Sequence, residues 1–223
     1  MDIFDTFLNI RVLAESFPLL LKGLRITLLL GLVSIVLGLL GGLLMALARL
    51  YGPTPLRTLA VAYIDTFRAL PLLVLLVVVY YALPFVGLRL SPFASATAAL
   101  SLVSCAYAAE IFRAGIEAIP RGQFDAARAL GLDPWSTMWL VILPQAIRIV
   151  VPPLTNNSIN VVKDTALASV VAMPDLLKQA TQAQALAANP SPLIGAALIY
   201  LVLLLPLVRM VSVLERRFSR GRS

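Results

Sequence analysis

The strongest constraint on the fold is a run of 20 residues, Leu28 to Leu47, that contains no charged side chain. A helix of that length rises about 30 Å, which matches the hydrocarbon core of a membrane. Hydrophobic residues make up 60% of the chain and charged residues 13%, whereas roughly 25% of a soluble domain is charged. Further apolar spans are predicted at Pro71 to Val86, Phe93 to Ile111 and Leu193 to Val213. The sequence therefore predicts an all-α polytopic membrane protein.

One more span, from Pro144 to Asp164, is predicted to be irregular because Pro144, Pro152 and Pro153 interrupt it. It brings the predicted number of transmembrane helices to five. Polar groups at membrane depth must face protein or a water-filled cavity. We therefore expect this span to line a pathway; the alternative is that its polar groups only hydrogen-bond one helix to another. These polar residues are Arg148, Thr155, Asn156, Asn157, Ser158, Asn160, Lys163 and Asp164.

A polar insert separates the third and fourth spans and is predicted to form two short helices joined at a bend. The first helix starts near Gln123 and is rich in alanine, a strong helix former. Gly131 stands where a left-handed C-cap residue is needed. Asp133 suits the N-cap of the second helix, and Pro134 suits its first position.

The first helix of the insert is predicted to be amphipathic. Phe124, Ala127 and Leu130 are spaced three apart and share one face, whereas Asp125 and Arg128 lie on another. A surface helix that packs only on its own protein would show the same pattern.

The spacing within the insert is more specific than its amphipathicity. It reads Asp-Ala-Ala, three residues, Gly, nine residues, Val, one residue, Leu-Pro, and it resembles the cytoplasmic EAA loop of ABC importer permeases. In that family the motif has Glu and Ile where this chain has Asp125 and Val141. Over residues 24–217 the chain resembles the polar amino-acid uptake branch, the histidine, glutamine and arginine permeases. The flanking segments that carry this resemblance are Phe67–Val74, Ala106–Arg113, Ala118–Gln123, Leu143–Arg148, Pro152–Asn156 and Lys163–Val170.

This resemblance implies the type I ABC importer fold, with residues 121–144 as the segment that couples the permease to an ABC ATPase. It further implies a second permease copy or homologue, an extracytoplasmic solute-binding protein, an amino-acid substrate and import rather than export. The residues expected to contact the ATPase are Gln123, Phe124, Asp125, Ala126, Ala127, Arg128, Leu130 and Gly131.

Composition excludes several other functions. The chain has no histidine and a single cysteine, Cys105, so His-based metal sites, His-dependent catalysis and an internal disulfide are excluded. It has no Gly-x4-Gly-Lys-Ser/Thr loop, so we expect no cofactor in this chain and expect ATP and Mg to bind to the partner ATPase. The net charge is +7, but the basic residues do not form a stripe with interleaved aromatic residues. We therefore interpret the positive charge as a sign of membrane topology rather than of nucleic-acid binding.

We divide the chain into an N-terminal interfacial segment, 1–22, a transmembrane domain, 23–215, and a basic cytoplasmic tail, 216–223. The alternative for residues 1–22 is a frayed terminus with some helix. The distribution of Lys and Arg among the connecting segments favours an N-out, C-in orientation. That orientation places the coupling segment in the cytoplasm of a multi-pass protein of the bacterial inner membrane. Basic residues then lie inside at Arg49, Arg57, Arg68, Arg113, Arg121 and Arg128, and outside at Arg11, Lys22, Arg25, Arg89 and Lys178.

An amino acid needs a cation or a helix N-terminus for its carboxylate and a carboxylate or carbonyl groups for its ammonium. The residues predicted to line the substrate pathway are Arg68, Glu110, Thr155, Asn156, Asn157, Asn160, Lys163 and Asp164. Two other functions are compatible with the composition. The first is a self-sufficient channel or proton-coupled transporter with Glu110, Lys163 and Asp164 as a relay. The second is a membrane enzyme, which the absence of clustered nucleophiles and metal ligands disfavours.

Overall fold

The computed structural model describes residues 6–219, and no strand occurs among them. Residues 1–5 of the predicted N-terminal segment and 220–223 of the predicted tail lie outside the described residues. In chain order the first helices are α1 (Ile10–Tyr51), α2 (Thr54–Ala69), α3 (Leu72–Val77, extended by a π-turn over Val78–Ala82 and a 3-10 turn over Leu83–Val86) and α4 (Pro92–Glu117).

The second half of the chain begins with the coupling segment. Its helices are α5 (Arg121–Ala129), α6 (Pro134–Ser136, continued by a π-helix over Thr137–Ile142), α7 (Leu143–Asp164, continued by a 3-10 helix over Thr165–Val171), α8 (Leu176–Ala187) and α9 (Ser191–Ser219).

Four helices of the described chain are long and apolar enough to cross a membrane, and they lie within Ile10–Tyr51, Pro92–Glu117, Pro134–Val171 and Ser191–Arg216. A fifth span is present if Thr54–Ala69 and Leu72–Val86 count as one broken span. Pro71 has extended backbone between these two helices. A proline also disfavours helical geometry in the residue before it, here Leu70. The predicted all-α polytopic fold is confirmed.

The first helix is longer than the apolar run that predicted it. α1 starts at Ile10 and continues to Tyr51 without a break at residue 22, so residues 10–22 belong to the same helix as the first span. Leu20 is 1% exposed and belongs to a buried apolar cluster with residues of α8 and α9. Packing against its own protein therefore covers one side of this part of the helix. At the other end of the chain, α9 continues past residue 216 to Ser219.

One compact unit comprises Met1–Val36, Leu70–Leu102 and Ile159–Val208, of which residues 1–5 are not described. Its core includes Leu20, Leu176, Ala180 and Ala196. The N–H of Leu176 donates to the Thr27 hydroxyl at 3.1 Å, which attaches the first residue of α8 to α1. The hydroxyl of Tyr81 donates to the carbonyl of Val170 at 3.1 Å, and this bond joins the π-turn after α3 to the 3-10 helix after α7. A buried core of this unit thus holds the start of α8.

The other unit comprises Leu37–Ala69, Val103–Ser158 and Arg209–Ser223, described as far as residue 219. The glycines of α1 lie directly against α4 in this unit. A Cβ placed on Gly42 would lie 2.6 Å from the Cβ of Ala108, and one on Gly41 would lie 3.0 Å from the sulfur of Cys105. The small glycines allow this close approach of the two helices, and Cys105 is a buried packing residue.

The structure differs from the prediction at the prolines of the fourth span. Pro152 and Pro153 lie inside α7 and do not end it. Neighbouring helices and side chains can compensate for the lost backbone hydrogen bonds of a membrane helix, and Pro152 is buried. Pro144 is the second residue of α7, and the irregular backbone precedes it, in the π-helix.

Candidate functional site: the coupling segment and the polar helix

The bend between the two helices of the coupling segment is a Schellman C-cap. Gly131 has φ +77°, its N–H donates to the Arg128 carbonyl at 2.9 Å, and the N–H of Leu132 donates to the Ala127 carbonyl at 3.1 Å. Those two bonds satisfy carbonyls that a helix end leaves unpaired. The predicted left-handed residue at Gly131 is confirmed.

Asp133 caps the next helix as predicted. Its Oδ1 accepts from the N–H groups of Trp135 and Ser136, at 2.9 and 3.1 Å, and its Oδ2 accepts from the Ser136 hydroxyl. The Ser136 hydroxyl and the two backbone donors hold the pKa of Asp133 below its usual range. Pro134 occupies the first turn. Both ends of the bend are therefore fixed by local hydrogen bonds.

Packing decides which face of α5 is available to a partner. Ala127 is 2% exposed, and Phe124 packs against the buried cluster of Ile119, Ile142 and Ala146. Leu130, which the helical spacing placed on the same face, is the C-cap residue and is 81% exposed. The predicted coupling residues that are exposed are Gln123, Asp125, Ala126, Arg128, Leu130 and Gly131.

One residue of this region carries a contact that sequence reasoning missed. The side-chain amide of Gln145, on α7, donates to the Gln123 side-chain oxygen at 3.1 Å and to the Val141 carbonyl at 2.8 Å. The sequence placed Gln145 only in a flanking segment of the insert. Nothing in the local pattern signals a contact over 22 positions.

The polar residues of α7 divide between two sides of the helix. Asn156, Asn160 and Lys163 are all exposed, and their spacing of four and three residues places them on one helical face. Asn157 points inward and donates to the Ser104 hydroxyl at 3.2 Å. The hydroxyl of Thr155 donates to the Val151 carbonyl of its own helix at 2.8 Å. Asp164 is half-buried.

Glu110 lies in a cluster of charges rather than alone. Its Oε2 accepts from Arg49 Nη1 at 3.0 Å and from Arg113 Nε at 3.1 Å, and Arg113 also pairs with Glu117. Arg68 stacks over the ring of Tyr107, with its guanidinium carbon 5.6 Å from the ring centroid. Two of the predicted pathway residues thus connect helices within one unit: Glu110 links α4 to α1, and Arg68 links α2 to α4.

No group of three or more potential metal ligands occurs among the described residues. The arrangement that does occur combines membrane-spanning helices, a capped polar insert with an exposed face, and a helix with a polar face. Membrane-spanning helices with polar groups at membrane depth are typical of the membrane subunit of a transporter.

Comparison with known proteins supports that class. Residues 38–220 match the family model of the binding-protein-dependent transport system inner membrane component. The chain belongs to this family. It is 37% identical to the probable glutamine ABC transporter permease protein GlnM of Bacillus subtilis (strain 168), over 96% of this chain and 100% of the relative. It is 39% identical to the arginine transport system permease protein ArtQ of the same organism, over 92% and 94%.

Solved structures show the same fold. The crystal structure of an amino acid ABC transporter with histidines contains a chain that is 38% identical, with a TM-score of 0.86 over 92% of this chain and 96% of that one. The MetNI methionine ABC transporter, in inward-facing conformations, matches with a TM-score of 0.65 at 24% identity. This second likeness concerns the fold alone. The type I importer fold expected from the coupling loop is confirmed.

Proposed function

We propose that this chain is the permease subunit of an ATP-driven importer that carries a polar amino acid across a bacterial cytoplasmic membrane. Relatives that are 37–39% identical over nearly the whole chain are named for glutamine and arginine transport. ATP and Mg bind to a separate ATPase subunit, since the sequence contains no phosphate-binding loop. An external binding protein delivers the substrate.

The observation that carries the proposal is the geometry of the coupling segment. α5 exposes Gln123, Asp125, Ala126 and Arg128, whereas its other face packs on the residues that lead into α7. The small side chain of Ala126 allows a partner to approach closely. A protein that docks on this face would therefore move the start of the polar helix with it.

A second permease chain, identical or homologous, completes the pathway. Asn156, Asn160 and Lys163 form an exposed polar face on a membrane helix, and such a face is unstable against lipid. Lys163 would bind the carboxylate of the substrate as a charge-assisted hydrogen-bond donor.

The first test is affinity purification of the chain from its native membrane, followed by uptake assays in vesicles. We expect an ATPase in equal amount, a second permease copy or homologue, and uptake that stops when the ATPase is inactivated. Uptake that continues without ATP would contradict the proposal and favour a channel or proton-coupled transporter.

The role of Lys163 is tested by Lys163→Ala, with the exposed Lys22→Ala of α1 as the matched control. We expect Lys163→Ala to lower uptake several-fold at an unchanged amount of protein in the membrane, and Lys22→Ala to change neither. Equal loss of uptake and of protein would show that Lys163 is only structural.

A further inference from the structure

The backbone at the junction between the coupling segment and the polar helix departs from an α-helix. Thr137–Ile142 is π-helical, and the N–H of Leu143 donates to the Met138 carbonyl five residues earlier. Pro144 follows and has no N–H, so the Leu140 carbonyl lacks its ordinary α-helical partner. π-turns of this kind are frequently retained at functional positions.

Gln145 directly follows Pro144, and its side-chain amide can donate two hydrogen bonds. A carboxamide nitrogen carries two hydrogens, and here they are directed to the Val141 carbonyl, within the π-helix, and to the Gln123 side-chain oxygen, on α5. A backbone carbonyl can only accept, so the bond to Val141 determines which end of the Gln145 amide is the nitrogen.

The two hydrogen bonds lie beside an apolar contact between the same elements. Phe124 of α5 and Val141 of the π-helix both pack against the buried cluster of Ile119, Ile142 and Ala146. The apolar contact resists separation of α5 from the junction, but it is non-directional. The amide bond of Gln145 adds a defined orientation.

We propose that Gln145 is a positioning residue for energy coupling, which holds α5 in register with the start of α7. It touches neither ATP nor substrate and acts through Gln123 and the Val141 carbonyl. The inference rests on the proposed function, since it assumes an ATPase on the exposed face of α5. Loss of the bond lets α5 tilt when the ATPase moves, so ATP is hydrolysed without a matching movement of α7.

The experiment uses the whole complex reconstituted in proteoliposomes with its ATPase and its binding protein. For each variant we measure ATPase copurification, basal ATP hydrolysis, stimulation by the loaded binding protein, and uptake per ATP. Gln145→Glu keeps the shape of the side chain but removes both donors. We expect unchanged copurification and an approximately 5-fold fall in uptake per ATP, the factor equivalent to the roughly 1 kcal/mol of one net hydrogen bond.

The partner residue supplies the controls. Gln123→Glu keeps an acceptor for Gln145 and Gln123→Ala removes it, so we expect uptake per ATP to fall further in Gln123→Ala than in Gln123→Glu. Because Gln123 also lies on the face of α5 that is exposed to the ATPase, the two variants are compared at equal ATPase copurification. In a Gln145→Ala background, Gln123→Ala causes no further fall in uptake per ATP if the two side chains act through one bond. Gln182→Ala, an exposed glutamine of α8, leaves uptake per ATP unchanged.

Normal stimulation and normal uptake per ATP in Gln145→Glu would overturn the inference. Loss of the ATPase from purified Gln145→Glu would also overturn it, because the residue would then serve assembly. If Gln145 variants fail to accumulate, the contrast between Gln123→Glu and Gln123→Ala still decides the question. Absence of any ATPase from the wild-type complex would instead refute the proposed function.

Discussion

At the scale of single residues, Asp175 is the least expected group in the structure. It is fully buried, its Oδ1 caps α8 by accepting from the Lys178 N–H at 3.0 Å, and its Oδ2 has no hydrogen-bond partner among the described residues. Removal from water disfavours the charged form, and it raises the pKa of Asp175 to about 6.

This shift predicts the effect of Asp175→Asn. Asp175 binds a proton near pH 6 in the folded protein and near pH 3.8 in the unfolded chain. The stability of the wild type therefore rises as the pH falls from about 6 to about 3.8, and it falls as the pH rises over the same range. Asparagine keeps the N-cap and carries no charge. We expect the variant to melt at a higher temperature than the wild type at pH 8, by the equivalent of up to about 3 kcal/mol, with the advantage disappearing towards pH 4.

The control for this prediction is Asp133→Asn. The pKa of Asp133 is lowered by its own capping bonds, so its carboxylate stabilises the fold above about pH 4 and this contribution is lost in acid. The two variants should therefore shift the melting temperature in opposite directions at pH 8. A difference between Asp175→Asn and wild type that does not change with pH would contradict the assignment.

At the scale of elements, alanine at two glycines is expected to change the stability of α5 in opposite directions. Gly131 has positive φ, which costs alanine roughly 1–2 kcal/mol. Gly122 is the second residue of α5, with no atom within 4 Å of an added Cβ, and alanine there has the higher helix propensity. We expect hydrogen exchange of amides 121–130 to quicken in Gly131→Ala and slow in Gly122→Ala. Equal effects of both variants would contradict the Schellman cap.

The contact between α1 and α4 gives a second prediction about elements. A Cβ on Gly42 would meet Ala108 Cβ at 2.6 Å and the Ala109 backbone nitrogen at 3.0 Å, and a backbone atom cannot swing away. On the same helix, a Cβ on Gly31 would meet its nearest atom at an ordinary 3.4 Å. We expect Gly42→Ala to cost about 1–3 kcal/mol and to lower the melting temperature in detergent. Gly31→Ala should be tolerated, and similar losses in both would show that the helices adjust freely.

At the scale of the whole molecule, the orientation in the membrane is the property to test. In a Cys105→Ala background, we expect a cysteine introduced by Gly122→Cys to react with an impermeant maleimide only from the cytoplasmic side. One introduced by Leu186→Cys, at a side chain that is 84% exposed, should react from the outside. Labelling of both from one side would contradict the N-out, C-in prediction, which rests on the positive-inside rule.

Local interactions explain what could be predicted. The cap at Gly131, the N-cap at Asp133 and the first-turn position of Pro134 follow from neighbours within five residues, and all three match the structure. The apolar runs predicted membrane helices because the bilayer sets a length and a polarity that a sequence displays directly. The family followed from the order of several short motifs.

The tertiary structure alone decided which side of each helix is buried. Helical periodicity allowed Phe124, Ala127 and Leu130 one common face, but only packing on Ile142 showed that the first two are turned inward. The bond between Gln123 and Gln145 likewise joins residues that are 22 positions apart in the chain. The burial of Asp175 depends on the other elements that pack around it. The sequence by itself determined the helices, their caps and the membrane as solvent, because these depend on near neighbours and composition. Burial and long-range partners depend on how the helices pack, which no local pattern contains.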